Sequence, residues 1–126
     1  MNNIKIGKLG ESYAEKFLQT QGYEIINKNF YTRFGEIDLI AINRASHSSQ
    51  LIFIEVKTRT SDVFGLPQES ITYKKRTKML KTALHFINSS TQNLPRIWRM
   101  DALAVKLTKN LKLIEIKHFK NILDGY

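Results

Sequence analysis

Three features of this 126-residue chain predict an α/β fold, a mixed sheet of about five strands with helices on its faces. Apolar residues recur at helical spacing in two long segments, 4 to 21 and 69 to 88. Five other segments are rich in Ile, Leu, Val and Phe and are bounded by turn-forming residues, as strands are. The resulting order is αβββαββ, in which a meander of three strands is joined by a helical crossover to a final hairpin.

In the first helix Ile6, Leu9, Tyr13, Ala14, Phe17 and Leu18 share one arc, and Gly22 follows as a C-terminal stop. Gly10 lies inside the apolar arc, where it costs about 1 kcal/mol relative to alanine. Its presence there predicts the close approach of another backbone. Glu11 stands at the edge of the arc. The strands of the meander are 23 to 30 (YEIINKNF), 36 to 43 (EIDLIAIN) and 51 to 59 (LIFIEVKTR). Turn-like residues at Arg33-Phe34-Gly35 and at 46 to 49 separate them, and 60 to 68 reads as a loop. The second helix has an apolar face of Tyr73, Met79, Leu80, Ala83, Leu84, Phe86 and Ile87. Lys74, Lys78, Lys81 and His85 lie opposite, with Lys75 at the border. Strands at 96 to 107 and 111 to 119 close the chain, with Thr108-Lys109-Asn110 as their hairpin turn. The crossover should set the third and fourth strands parallel. Neither Pro67 nor Pro95 falls inside an element. With no repeat, linker or low-complexity tract, residues 1 to 126 read as one domain.

A chain of this length buries roughly two-thirds of its unfolded surface, and 42% hydrophobic residues supply a core. The absence of cysteine excludes disulfides and thiolate metal sites, and fits a reducing compartment. No apolar leader or membrane span is visible, so a cytoplasmic location is expected. Twenty Lys and Arg against eleven Asp and Glu give a formal charge of +9. Such a balance attracts polyanions, nucleic acid above all, although a basic surface kept for solubility has the same composition. The basic residues form no compact run of the kind that binds anionic membranes.

Side-chain alternation puts Ile52, Ile54 and Val56 on one face of the third strand and Phe53, Glu55, Lys57 and Arg59 on the other. Glu55 and Lys57 are then about 7 Å apart along the strand. In the second strand Glu36, Asp38, Ile40 and Ile42 share a face, so pairing of the two strands can bring Asp38 beside Glu55. Both strands look central, where an unpartnered charge is costly and two carboxylates raise each other's pKa. A divalent cation relieves both penalties. Magnesium prefers oxygen ligands, often one or two carboxylates, and polarises a bound phosphate. A lysine on the same face can stabilise charge developing on that phosphate. Taken alone, Glu-x-Lys reads as a solvent-facing ion pair. The upstream Gly35-Glu36-Ile37-Asp38 and the helical Gly10-Glu11 change that reading.

Together Gly10-Glu11-x-x-Ala14, Gly22-Tyr23, Gly35-Glu36-Ile37-Asp38-Leu39-Ile40-Ala41, Phe53-Ile54-Glu55-Val56-Lys57-Thr58-Arg59, the Lys75 segment and Arg99-Met100-Asp101 cover nearly the whole chain. In this order they resemble the PD-(D/E)xK nuclease superfamily and its restriction-endonuclease-like fold. More closely, they resemble the YraN-like family, small bacterial proteins related to archaeal Holliday-junction resolvases. The usual aromatic before Asp101 is methionine here. The resemblance implies that Asp38 and Glu55 are metal ligands, with the Val56 carbonyl a third. It implies that Lys57 is the catalytic lysine and Glu11 an accessory acid. The metal would be Mg2+, with Mn2+ as a substitute, and the substrate structured or branched DNA, RNA being left open. A homodimer would match the symmetry of such a substrate.

Other residues carry two readings each. Arg33 and Arg59 touch phosphate or are plain surface arginines. Lys75 reaches the site or snorkels over the core. The Lys74, Lys78 and Lys81 stripe is a solvated face that adds attraction to DNA. Glu36 assists the site, caps the preceding turn or faces solvent. Asp101 pairs with Arg99 or buttresses the site. His47, His85 and His118 lack metal-like spacing and are expected at the surface. Trp98 and the tyrosines are too dispersed along the chain to suggest base stacking. The function expected is metal-dependent cleavage of DNA. The alternatives are a binding module without turnover and a basic adaptor for an acidic protein.

Overall fold

The computed structural model describes residues 3–44, 48–60 and 72–123. The elements are α1 (Asn3–Thr20), β1 (Tyr23–Thr32), β2 (Gly35–Asn43), β3 (Gln50–Thr60), α2 (Tyr73–Ser89), β4 (Ile97–Leu107) and β5 (Leu113–Phe119). Residues 61 to 68 of the expected loop, the first three residues of the expected second helix, His47 and Pro67 lie outside the described residues. The order αβββαββ is the one the sequence predicts.

The strands form one five-stranded sheet in the order β1-β2-β3-β4-β5. β1–β2 and β2–β3 pair antiparallel, β3 and β4 are parallel, and β5 returns antiparallel to β4. A parallel pair needs a long crossover, and α2 lies within it. β2 and β3 sit centrally because both of their faces are apolar. On one face Leu39, Ala41, Ile52, Ile54, Leu103 and Val105 pack with Ala14 and Leu18 of α1. On the other, Ile40, Ile42, Leu51, Phe53 and Met100 pack with Met79, Ala83 and Phe86 of α2.

Gly10 is where α1 meets the sheet. A Cβ added there would lie 1.8 Å from Thr58 Oγ1, so only glycine fits. The close approach expected from the sequence is present, but the neighbour is a side chain of β3 rather than a backbone. In α2 the buried stripe is Met79, Thr82, Ala83 and Phe86. That stripe corrects the expected apolar face: Tyr73 is 73% exposed and Leu84 41%. Tyr73 lies at the start of the helix and Leu84 just outside the stripe. Thr82 takes a buried place because its hydroxyl donates back to the Lys78 carbonyl at 2.8 Å. The β4–β5 connection is longer than the three-residue turn expected. Thr108 N–H donates to the Lys112 carbonyl at 2.8 Å, with Leu111 at φ 65°, so β5 begins only at Leu113.

Two irregularities shape one end of the sheet. The β1–β2 register shifts between Ile25 and Asn27, and Asn29 adopts φ 52°, a conformation that asparagine tolerates better than most residues. In β2, Ile37 joins Ile40 and Ile42 in the α2-side cluster. Strict alternation would put residues 37 and 40 on opposite faces. Asp38 sits at that break.

Candidate active site

The β2–β3 ladder runs from Asn43↔Gln50 to Leu39↔Ile54. Continued by one step, this register sets Asp38 opposite Glu55. Here the Val56 N–H donates to Asp38 Oδ2 at 2.7 Å, so a side chain takes up a donor that a ladder would otherwise give to a carbonyl. Glu55 is only 7% exposed. A carboxylate so placed needs partners, and two lysines supply them. Lys57, two residues along β3, brings Nζ to 3.4 Å from Glu55 Oε1. Lys75, from the first turn of α2, brings Nζ to 2.8 Å from the same oxygen. Thr72 fixes that turn by accepting the Lys75 N–H at 3.2 Å as the helix N-cap.

The electrostatics follow from this crowding. Burial, then the charge of Glu55, push the Asp38 carboxyl up to about 8. The Val56 N–H opposes that shift, while Glu11 and a hydrogen bond with Glu55 add to it. This crowding favours the protonated form of Asp38. Burial also pushes the Lys57 ammonium below its usual range, and the neighbouring Lys75 adds to the effect. Lys75 is itself partly buried, which works against its charge, but its hydrogen bond to Glu55 leaves it above the usual lysine value.

Glu11 reaches this end of the sheet from α1. The side-chain amide of Asn29 donates to Glu11 Oε1 at 3.0 Å and to Glu36 Oε1 at 2.9 Å. Glu36 is exposed, and that amide is its partner. Asn29 thus ties α1, β1 and β2 together through the unusual backbone at its own position. Beside them an open pocket of about 210 Å³ is lined by Lys8, Glu11, Ser12, Glu15, Lys28, Asn29 and Leu39.

Among the described residues no three His, Cys, Asp or Glu side chains gather as a cation cage. What fits a cation is the adjoining pair Asp38 and Glu55. Both offer hard oxygen ligands, and one of them retains a proton because repulsion and burial disfavour two charges. Val56 meets Asp38 through its N–H.

Of the basic residues singled out from the sequence, Lys57 and Lys75 converge on Glu55. The snorkelling alternative for Lys75 is set aside by the 2.8 Å ion pair. Arg59, farther along β3, is partly buried and donates to the Thr58 carbonyl at 3.3 Å. Lys74 and Lys78 are exposed on α2. Arg33 is exposed in the β1–β2 turn, its guanidinium 4.9 Å from the Phe34 ring centroid.

Asp101 resolves into a structural clamp. It is fully buried and accepts from Arg99 Nε at 2.9 Å and from the Asn121 N–H at 2.9 Å. His118 Nε2 lies 2.7 Å from its other oxygen. Arg99 donates onward to Tyr23 Oη at 3.0 Å and to Gln50 Oε1, joining β1, β3, β4 and β5. These donors hold the Asp101 carboxyl below its ordinary range despite its burial. His118 is therefore not the surface residue expected from its spacing. His85 is exposed as expected. Sequence reasoning missed Asn29 and the His118–Asp101 contact. Neither residue has a motif around it, and both are placed by tertiary pairing.

Known proteins match this chain over most of its length. The model of a family described as Uncharacterised protein family UPF0102 matches residues 10–105. A UPF0102 protein of Caldanaerobacter subterraneus subsp. tengcongensis is 40% identical over 124 residues, covering 96% of both chains. One from Thermodesulfovibrio yellowstonii is 40% identical over 121 residues, covering 96% of this chain and 97% of the other. One from Clostridium acetobutylicum is 37% identical over 119 residues, covering 94% and 93%. The matched span contains β2, β3 and the Lys75 turn of α2, and the chain belongs to the UPF0102, or YraN-like, family.

Proposed function

We propose that this protein is a metal-dependent endonuclease that hydrolyses phosphodiester bonds in structured or branched DNA, as expected for a member of the PD-(D/E)xK superfamily. The observation that carries the proposal is Asp38, bound by the Val56 N–H at 2.7 Å and set beside buried Glu55, with Lys57 3.4 Å from the same Glu55. A purely structural ion pair gives no reason for a second carboxylate to be held beside Glu55 at the cost of keeping its proton.

In this reading Asp38 and Glu55 hold Mg2+, or Mn2+ in its place, and the Val56 carbonyl completes the protein ligands. The ion supplies Lewis-acid polarisation of the phosphate and lowers the pKa of water. Lys57 faces the attacked phosphate, orients the incoming water and stabilises charge that develops on the phosphoryl oxygens. The lowered proton affinity of its ammonium suits a group that exchanges a proton with that water. Lys75 neutralises Glu55, and with a cation held by Glu55 its ammonium would be available to phosphate. Glu11 acts from the side, through its field on Asp38 and its hold on Asn29. Arg33, Arg59, Lys74 and Lys78 add attraction to the DNA backbone. A two-fold dimer would place paired sites on both arms of a junction.

The test is a cleavage panel of linear, flap, fork and four-way-junction DNA with Mg2+ and Mn2+. Cleavage that needs the metal and disappears in Asp38→Asn is the expected result. No cleavage of any substrate would leave the second reading, a binding module without turnover. That reading draws on the Lys75–Glu55 ion pair, in which an ammonium already occupies the place a cation would take.

A further inference from the structure

Two aromatic residues at the β1–β2 turn, Tyr31 and Phe34, stand at one cleft with His85 of α2. An open pocket of about 380 Å³ is lined by Tyr31, Thr32, Arg33, Phe34 and His85, between the β1–β2 turn and α2. Tyr31 is 76% exposed. The Arg33 guanidinium stands 4.9 Å and the Lys81 ammonium 5.7 Å from the Phe34 ring centroid. The described lining holds no acidic side chain.

This cleft is preformed. Phe34 N–H donates to Thr32 Oγ1 at 3.1 Å, and that hydroxyl lies 3.4 Å from the hydroxyl of buried Thr82. A Cβ added at Gly35 would stand 3.8 Å from both Lys78 Cβ and Thr82 Oγ1, so the turn rests directly on the helix. We infer that the cleft binds an unpaired base of single-stranded DNA, with the exposed Tyr31 as the stacking ring and Arg33 and Lys81, which lie over the Phe34 ring, on the flanking phosphates. An exposed ring beside cations is what base stacking and backbone attraction require. A paired base inside a duplex keeps its faces covered by its neighbours, so the cleft selects strands that are already unpaired.

The cleft also lies on a path to the candidate active site. Lys75, Lys78, Lys81 and His85 follow one another at three- and four-residue intervals along α2, on one side of the helix. From Lys75, on Glu55, to Lys81 is about 9 Å along the axis, roughly the rise of two or three stacked nucleotides. The inference deepens the nuclease proposal and rests on it only for what happens to the strand after binding. A strand held here would present a bond near a junction between paired and unpaired DNA to Asp38, Glu55 and Lys57.

Binding is measured by fluorescence anisotropy in chelator, so that no cleavage can occur. The probes are labelled oligothymidine and an abasic phosphodiester strand of the same length and charge. The wild type should bind oligothymidine about tenfold more tightly than the abasic strand. Tyr31→Ala, which removes an exposed ring, should lose most of that margin while abasic binding stays unchanged. Asp38→Asn should keep the full margin. Equal affinity of the wild type for the two strands would overturn the inference, as would a margin that Tyr31→Ala does not reduce. Because no metal is present and Asp38→Asn is expected to bind, such a failure leaves the cleavage proposal standing. A protein that cleaves nothing yet shows the margin supports the stacking site alone.

Discussion

Replacing Asp38 by asparagine tests the electrostatics of the site without any substrate. The Asp38 carboxyl is pushed up to about 8 in the fold, first by burial and then by Glu55. In the unfolded chain it should titrate at about 3.9. A group that holds its proton more tightly when folded favours the fold at low pH. That advantage is lost as pH rises from about 4 towards about 8, where the folded carboxyl must also ionise. At about 1.36 kcal/mol per pH unit, the penalty by pH 8 has a ceiling of about 5 kcal/mol. Relaxation and water entry around a partly buried carboxyl absorb part of it, so about 2 kcal/mol should remain. Asparagine keeps an acceptor for the Val56 N–H, 2.7 Å from Asp38 Oδ2, and offers Glu55 a permanent donor. Urea unfolding in chelator should find Asp38→Asn and wild type alike near pH 4, with the variant more stable by about 2 kcal/mol at pH 8. Adding Mn2+ at pH 8 should then raise the wild-type midpoint and leave the variant's unchanged. A stability difference independent of pH, or a variant less stable at pH 8, would refute the reasoning.

Three other substitutions probe separate parts of the structure. Lys75→Met removes the ammonium 2.8 Å from Glu55 and should tighten Mn2+ binding about fivefold in calorimetric titration, the scale of a partly exposed ion pair. Unchanged or weaker binding would mean that Lys75 does not compete for the cation position. Gly10→Ala should cost about 1–3 kcal/mol in urea unfolding, because the new methyl would lie 1.8 Å from Thr58 Oγ1. Adding Thr58→Ala should recover only part of that loss, since Thr58 Cβ itself would be 2.8 Å away. Asp101→Asn should cost about 3–5 kcal/mol at neutral pH by stripping Arg99 and His118 of a fully buried anion. The folded Asp101 carboxyl lies below its ordinary value, so its contribution is present above about pH 4 and is lost as pH falls through the folded pKa. The wild-type advantage over Asp101→Asn should shrink accordingly in acid.

The sheet was legible because its signals are local. β2 and β3 are apolar on both faces, and a helix-length crossover forces the parallel β3–β4 pair. The surroundings of Asp38 were less legible, because the β2–β3 register ends at Leu39↔Ile54 and alternation breaks between Ile37 and Ile40, so that Asp38 meets the Val56 N–H instead. Lys75 was harder to place. A lysine at the border of an apolar stripe looks the same whether it covers the core or reaches an anion, and only the docking of α2 on the sheet decides between them. Asn29 depends on a register shift and a positive φ that leave no pattern in sequence. The Asp101 clamp draws on residues 23, 50, 99, 118 and 121, which tertiary pairing alone brings together. Tyr73 and Leu84 show the opposite error, where apolar character was taken for burial although the helix buries a narrower stripe.

The most direct measurement is single-turnover cleavage of branched DNA with Mg2+ or Mn2+ by wild type and Lys57→Ala, with DNA affinity measured on the same preparations. Lys57 stands 3.4 Å from Glu55 Oε1, where it can act on charge that exists only in the transition state. Circular dichroism should show the variant folded, since Lys75 still partners Glu55 at 2.8 Å. The expected result is metal-dependent cleavage by the wild type, with Lys57→Ala slowed at least a hundredfold and its DNA affinity nearly unchanged, because it removes one of twenty basic charges. A folded Lys57→Ala that cleaves as fast as wild type, or a wild type that cleaves none of these substrates with either metal, would contradict the assignment of a nuclease site to Asp38, Glu55 and Lys57.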